Sequence, residues 1–324
     1  MTRLALALVT LLALSLAHPL RAEPAYPQTT IRIVLGFSPG SAPDVAARIL
    51  AERFRAAWGK PVVVENMLGA GGNIAADHVA KAAPDGATLL MAGNAAIVIN
   101  PSLYAKLPYD PAHDLVPVAQ VTIAPNVLVL NKDVPAESVQ DLVELARRKP
   151  GALTYASAGI GTSTHLAGEL FQTMAGIKLQ HVPYRDSAAL LSDLVTGRVT
   201  MFFGSIASVL PQVRDGHLRA LAVTSLRRSP AMPDLPTLDE LGFKGFDAIA
   251  WFGLMAPLGT PSPIVAMLHD EALKAVTAPA AREKFAALGM ETVARTPDEF
   301  AALIRAETPV WAKLIKQVGI APIQ

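Results

Sequence analysis

The chain has 324 residues and no cysteine; 52% of the residues are apolar, 17% are charged, and the formal net charge is +1. That excludes disulfides, a thiolate nucleophile and a lipid anchor on cysteine, and it describes a globular protein long enough for two lobes instead of one core. Near-neutral charge offers no electrostatic footprint for nucleic acid or an anionic membrane.

The first residues read as a secretory leader. Arg3 gives a positive start, residues 4–17 are apolar, and small residues follow, with cleavage expected after Ala22 in preference to Ala17. The apolar run falls short of the roughly 20 residues that span a bilayer. Without Arg3 and Arg21 the remaining chain keeps 26 of its 28 basic residues against 27 acidic ones, a net −1. The mature protein is expected to be soluble and exported to the periplasm.

Residues 31–35 read as a buried strand, and a turn through Phe37, Pro39, Gly40 and Ser41 follows. Val45, Ala46, Ile49, Leu50, Phe54 and Trp58 then line one helical face until Gly59 stops the helix. Ser41 or Ala42 is the expected cap, with Pro43 in the first turn, where its missing N–H costs nothing. Asp44 is placed either to cap this helix or to meet a ligand.

A second strand at 61–65 runs into glycines at 69, 71 and 72. Ile74 stands where a dinucleotide fingerprint wants Gly or Ala, so nucleotide binding is set aside and no cofactor is expected. A third strand at 88–91 ends in Gly93 and Asn94. Residues 100–117 are rich in proline and loop formers, and 116–130 is an extended apolar stretch able to cross between lobes. Ser138 and Asp141 have capping-box spacing at the start of the next helix.

Residues 153–171 repeat the grammar of the first turn. Thr154 and Tyr155 begin a short strand, Ser157 and the Gly159/Gly161 turn follow, and Leu166, Ala167, Leu170 and Phe171 then recur at helical spacing. Thr162, Ser163 or Thr164 can cap this helix. Unpaired first-turn N–H groups, together with the positive end of the helix dipole, make a seat for an anion. Strands at 180–183, ending in Tyr184, and at 200–203, followed by Gly204 and Ser205, present similar ends.

A strand at 218–224 precedes an irregular, proline-rich stretch, and 251–257 reads as a strand returning to the first lobe. The remainder is expected to be helical, with a capping box at Thr296 and Glu299 and a kink at Pro309. The simplest topology is α/β, each lobe a mixed, mainly parallel sheet flanked by helices. Lobe I would take residues 23–125 and 226–324, and lobe II the inserted 126–225. Two crossing strands near 123–127 and 221–225 would join them, with a ligand cleft between the lobes at the strand ends.

Enzyme signatures are missing from the sequence. Gly161-Thr162-Ser163-Thr164-His165 fails the G-x-S-x-G elbow at its last position, and the seven histidines show no metal-ligand spacing. His165 and His181 are expected to be structural or to line the cleft.

Pro39-Gly40 with Asp44, Val62-Val63-Val64-Glu65-Asn66, Gly69-Ala70-Gly71-Gly72, Pro84-Asp85-Gly86, and Leu107-Pro108-Tyr109-Asp110 occur in the order of one known family. So do Tyr155-Ala156-Ser157-Ala158-Gly159, His165-Leu166, His181-Val182-Pro183-Tyr184, Arg219-Ala220-Leu221-Ala222-Val223-Thr224 and Trp251-Phe252-Gly253-Leu254. Over nearly the whole mature chain the sequence resembles the extracytoplasmic receptors of tripartite tricarboxylate transporters, the Bug family.

The resemblance implies a type II periplasmic binding protein that captures a small organic acid and passes it to a two-subunit membrane permease. It also implies a carboxylate held by backbone groups, hydroxyls and water at the two facing turns. The candidate ligand residues are Phe37, Gly40, Ser41, Asp44 and Asn94 on one side, and Ser157, Gly161, Thr162, Ser163, His165, Tyr184 and Ser205 on the other. A periplasmic sensor feeding a membrane-bound signalling partner is the alternative reading. The chain departs from the family pattern in Ser41-Ala42-Pro43, where the family commonly has Gly-Gly-Thr, and in Asp186, which replaces a small residue and is expected to cap the next helix.

Overall fold

The computed structural model describes residues 26–184 and 186–323, so the expected leader lies outside the described residues. The chain opens with β1 (Ile31–Leu35), α1 (Ala42–Trp58), β2 (Val62–Asn66), a 3₁₀ turn (Ala70–Gly72), α2 (Asn73–Ala80), β3 (Thr88–Gly93), a π turn (Ala95–Ile99) and α3 (Asn100–Leu103). It continues through β4 (Leu115–Ala124), β5 (Asn126–Asn131), α4 (Val139–Arg148), β6 (Thr154–Ser157), α5 (Ser163–Ala175), β7 (Gln180–Pro183), α6 (Ser187–Val195), β8 (Met201–Ser205), α7 (Ile206–Arg214) and β9 (Leu218–Val223). After an irregular stretch come β10 (Ala250–Pro257), α8 (Ser262–Thr277), α9 (Pro279–Ala287), β11 (Glu291–Arg295) and α10 (Pro297–Val318).

These strands build two sheets, ordered β11-β4-β10-β3-β1-β2 and β7-β6-β8-β5-β9. In the first, β1 pairs in parallel with β2 and β3, while β10 runs antiparallel to β3 and β4. In the second, β6 pairs in parallel with β7 and β8, and β5 runs antiparallel to β8 and β9. This is the mixed α/β architecture expected, with four parallel and five antiparallel pairings in place of mainly parallel ones. The first sheet draws strands from both chain ends, and the second from the middle.

Local sequence accounts for the helix limits. Thr162 caps α5 by accepting the His165 N–H, Ser138 and Asp141 form the capping box of α4, and Thr296 and Glu299 form that of α10. Gly59 ends α1 in the left-handed region, which glycine enters at little steric cost. α10 continues through Pro309 for 22 residues. Asp186 does cap α6, accepting from the Ala188 and Ala189 N–H groups.

The extended stretch at 116–130 divides at Pro125 into two strands belonging to different sheets. β4 leaves the first sheet at Ala124, the edge where β1, β2 and β3 also end. β5 enters the second with Asn126 opposite Ser205, the last residue of β8. The C-terminal edges of the parallel strands in both sheets therefore meet at this crossover. The apolar core is continuous there, with Leu90, Ile97 and Leu103 in one cluster with Leu166, Phe171, Trp251 and Phe300.

Three expectations need correction. The strand at the return crossing ends earlier than 225: β9 stops at Val223, Thr224 N–H still bonds to the Asn126 carbonyl, Leu238 N–H bonds back to the Val223 carbonyl, and Phe243 packs at a tilt against Phe171. Beyond Val223 the chain reaches the first sheet at Ser229, whose side chain bonds to Glu291 of β11, and returns to the second at Leu238 and Phe243 before it enters β10. The C-terminal part is not all helical, because β11 pairs with β4. Its five residues are too few for periodicity to separate strand from helix, and pairing decides. Residues 95–103 are helical, since burial of Ile97, Val98 and Ile99 overrides weak local propensity.

Candidate functional site: two turns at facing sheet edges

The turn after β1 is shaped by close backbone approach. A Cβ on Gly36 would lie 2.4 Å from Gly72 Cα, so the turns after β1 and β2 touch directly. Phe37 lies over Gly93, packs edge-on against Phe252 at 5.4 Å, and its carbonyl accepts from Asn66 Nδ2 at 2.8 Å. The Ser41 side chain makes no cap bond; its hydroxyl donates to the Ser38 carbonyl.

Asp44 neither caps conventionally nor stands open to a ligand: its side chain is only 1% exposed. Gly40 N–H donates to Oδ2 at 2.9 Å, Arg48 Nε donates to Oδ2 at 2.8 Å, and Asn66 Nδ2 donates to Oδ1 at 2.9 Å. Burial pushes its pKa up, but the bonds from Arg48, Asn66 and Gly40 outweigh burial and hold it below the ordinary carboxylate value.

The turn after β6 is built on the same plan. Gly161, at φ +80°, donates its N–H to His165 Nδ1 at 3.1 Å, and His165 is 4% exposed. Thr164 Oγ1 accepts from Ala158 N–H, and Thr162 Oγ1 donates to the Gly159 carbonyl. Ser157, fully buried, accepts from Gly159 N–H and lies 2.6 Å from His181 Nε2. His181 stacks on His165 at 4.1 Å, and Tyr155, whose hydroxyl donates to Glu169, stacks on His181. Burial, then the neighbouring His181, lowers the His165 pKa to about 4; burial lowers that of His181. Both rings are neutral at pH 7.

The remaining candidates close the two edges. Asn94 is buried and donates to the Ile249 carbonyl at 3.0 Å. Ser205 begins α7 with its hydroxyl donating to Ser208. Tyr184 donates its hydroxyl to Asp193, and burial and that acceptor push its pKa up to about 12. The candidates thus fall into two sets on facing edges. Leu103 of α3 and Gly161 meet across the boundary, and so do Gly289 and Ala207. Gly40 and Gly161 do not touch, since nothing lies within 4 Å of a Cβ built on Gly40.

The hydrogen-bond pattern alters which donors are free. The Gly40 and Gly161 amides are spent on Asp44 and His165. The Ala42, Asp44, Ser163 and Thr164 N–H groups, in the first turns of α1 and α5, have no acceptor among the described residues. Most hydroxyls of the second turn are likewise bonded internally. Sequence reasoning missed Asn66 and Leu103; a polar residue closing β2, as Asn94 follows β3, is the only signal for the first, and Leu103 had none.

A cavity of about 640 Å³ lies at the opposite edge of the first sheet, lined by residues including Tyr26, Thr29, Pro84, Pro261 and Ile264, and it takes no side chain from either turn. Among the described residues no helix is long and apolar enough to cross a membrane.

Comparison with known proteins places this geometry. The family model described as the tripartite tricarboxylate transporter family receptor matches residues 46–320. Protein BugT of Bordetella pertussis is 38% identical, over 94% of this chain and 93% of its own length. The structure of Rhodopseudomonas palustris Rpa4515 with adipate matches with a TM-score of 0.79 at 35% identity, covering 92% of this chain and all of that one. MatC (Rpa3494) of the same organism, with bound malate, matches with a TM-score of 0.75 at 32% identity over 90% of this chain and all of that one. These are substrate-binding receptors and not enzymes, and the chain belongs to the tripartite tricarboxylate transporter receptor family, the Bug proteins.

Proposed function

We propose that this protein is an exported solute receptor that binds a small organic carboxylate between its two sheets and delivers it to a two-subunit membrane permease. The two sheets act as lobes, joined at Pro125 and again before β10, with both chain ends (23–125 and 226–324) contributing to the first and 126–225 forming most of the second. The observation that carries this reading is the pair of helix N-termini, α1 and α5, set on strand edges that meet at the crossover, each with unpaired amides. Relatives of similar length hold adipate and malate, both small carboxylates.

A carboxylate seated on both helix starts favours the state in which the lobes are closed, and that difference in affinity shifts the population. Each dipole contact contributes about 0.3 to 1 kcal/mol, so charge-assisted hydrogen bonds of roughly 1.5 to 3 kcal/mol each supply most of the grip. Phe37, held by Phe252 and Asn66, forms an apolar wall beside the first seat.

The test is calorimetry of the folded protein against malate, adipate and a panel of mono-, di- and aromatic carboxylates. Saturable binding to at least one is expected. A protein of verified fold that binds none of them would end the reading. Growth of a deletion strain on the acid that binds then tests delivery: lost uptake is expected.

A further inference from the structure

The two turns are braced by one device made from different chemistry. Gly40 at φ +78° and Gly161 at φ +80° each donate an N–H to a side chain four residues on, in the first turn of the following helix. Both acceptors, Asp44 and His165, are buried. A bond of this kind fixes where the next amides point, because it sets the path of the chain between strand end and helix start. We infer that Asp44 and His165 are matched positioning residues for the ligand site, and that the brace on Gly161 fails in acid while the brace on Gly40 holds. This rests on the carboxylate-receptor reading above.

The asymmetry follows from the acceptor atoms. Asp44 accepts while ionised, and Arg48 and Asn66 keep it so. An imidazole nitrogen accepts only while it carries no proton; an imidazolium has two N–H groups and no acceptor. The Gly161 N–H therefore fixes His165 with its proton on Nε2, which lies 3.7 Å from Glu169 Oε1. The titratable groups facing the ring are Glu169 on its own helix, His181 on β7 and Tyr155 on β6. Burial and His181 delay protonation to well below pH 6.5. Once His165 is charged, the Gly161 N–H faces another N–H, and the turn must release it. Acid thereby loosens one of the two seats and leaves the other.

The experiment follows the Gly161 amide by NMR from pH 7.5 to 3 in ligand-free protein, wild type and His165→Asn, and measures malate and adipate affinity over the same range. Asparagine presents a carbonyl near the position of Nδ1 and does not titrate, so it isolates the proton. The Gly161 resonance should titrate with the His165 ring in the wild type and stay flat in His165→Asn. His165→Asn should bind the acid within a few-fold of wild type at pH 7 with a flatter acid profile, while His165→Leu, checked by its melt, should weaken binding about tenfold or more. A Gly161 amide indifferent to the His165 proton, or a His165→Leu variant binding like wild type, overturns the proposal. A titrating amide in a protein that binds no carboxylate supports the brace and overturns the receptor reading instead.

Discussion

Leu103 and Gly161 touch across the boundary between the two sheets: a Cβ placed on Gly161 would lie 2.1 Å from Leu103 Cδ2. Gly161 is also left-handed, at φ +80°. Gly161→Ala thus meets two penalties, backbone strain of about 1 kcal/mol and a clash that requires either a rotamer change of Leu103 or a separation of the two halves. Gly40 has nearly the same φ but open space around it, so Gly40→Ala carries the strain alone. Chemical denaturation should show Gly161→Ala to be the more destabilised, and calorimetry should show it to have lost much more affinity. Equal losses in the two variants would mean that the Leu103 contact does not matter.

The contrast between these glycines shows what could be read from the sequence. Strand, small-residue turn and capped helix are local patterns, so both turns, the caps Thr162, Ser138 and Thr296, and the stop at Gly59 were legible. So was the residue type at position 161, but not Leu103, because nothing in residues 153–171 encodes a neighbour 58 positions earlier. Asp44 failed in the same way. Its position suggested a cap or a ligand contact, whereas its role is set by Asn66, which arrives from the end of β2. β11 escaped notice because an edge strand of five residues is specified by its partner β4 and not by its own period.

Asp247 and Glu307 make a half-buried acidic pair where the return segment meets α10. Asp247 Oδ1 has no hydrogen-bond partner among the described residues, and Glu307 accepts from Trp251 Nε1 at 2.9 Å. Burial, with Glu307 adding to it, pushes the Asp247 pKa up to about 7, against the pull of Arg295. A carboxyl whose pKa is raised on folding stabilises fully below its unfolded pKa, and that contribution is lost as pH rises through the folded value. The stability contributed by Asp247 should therefore decline between about pH 4 and pH 7. Asp247→Asn should remove that slope and gain on the order of 1 kcal/mol at pH 8, read from urea midpoints across the range. An unchanged slope would show that the side chain titrates normally.

His165 contributes to stability with the opposite sign. Its pKa falls on folding to about 4, chiefly through burial and then through His181. The unfolded chain then binds the extra proton first, and stability drops as pH falls from about 6.5 towards 4. With Asp247→Asn in place, the acid limb that remains should owe much of its slope to this ring. Adding His165→Asn to that background should flatten it between pH 6.5 and pH 4; persistence of the full slope would assign acid sensitivity to other groups.

Phe37 owes its position to the absence of a side chain at Gly93. A Cβ there would sit 2.7 Å from Phe37 Cζ and 3.5 Å from Phe252 Cε1, so any side chain at 93 displaces the ring proposed above as the wall of the first seat. Gly93→Ala should therefore lower ligand affinity and cost about 1 to 3 kcal/mol of stability through overpacking. Phe37→Ala removes the obstruction along with the wall, so the alanine at 93 should cost far less in that background. A double-mutant cycle on denaturation midpoints should give a coupling of at least about 0.5 kcal/mol between the two positions. Because Asn66 holds the Phe37 carbonyl independently of the ring, Phe37→Ala should keep the Gly40 turn intact, and its effect on binding then measures the apolar wall alone. Strict additivity would mean that the ring moves aside freely and that Phe37 is not a fixed part of the site.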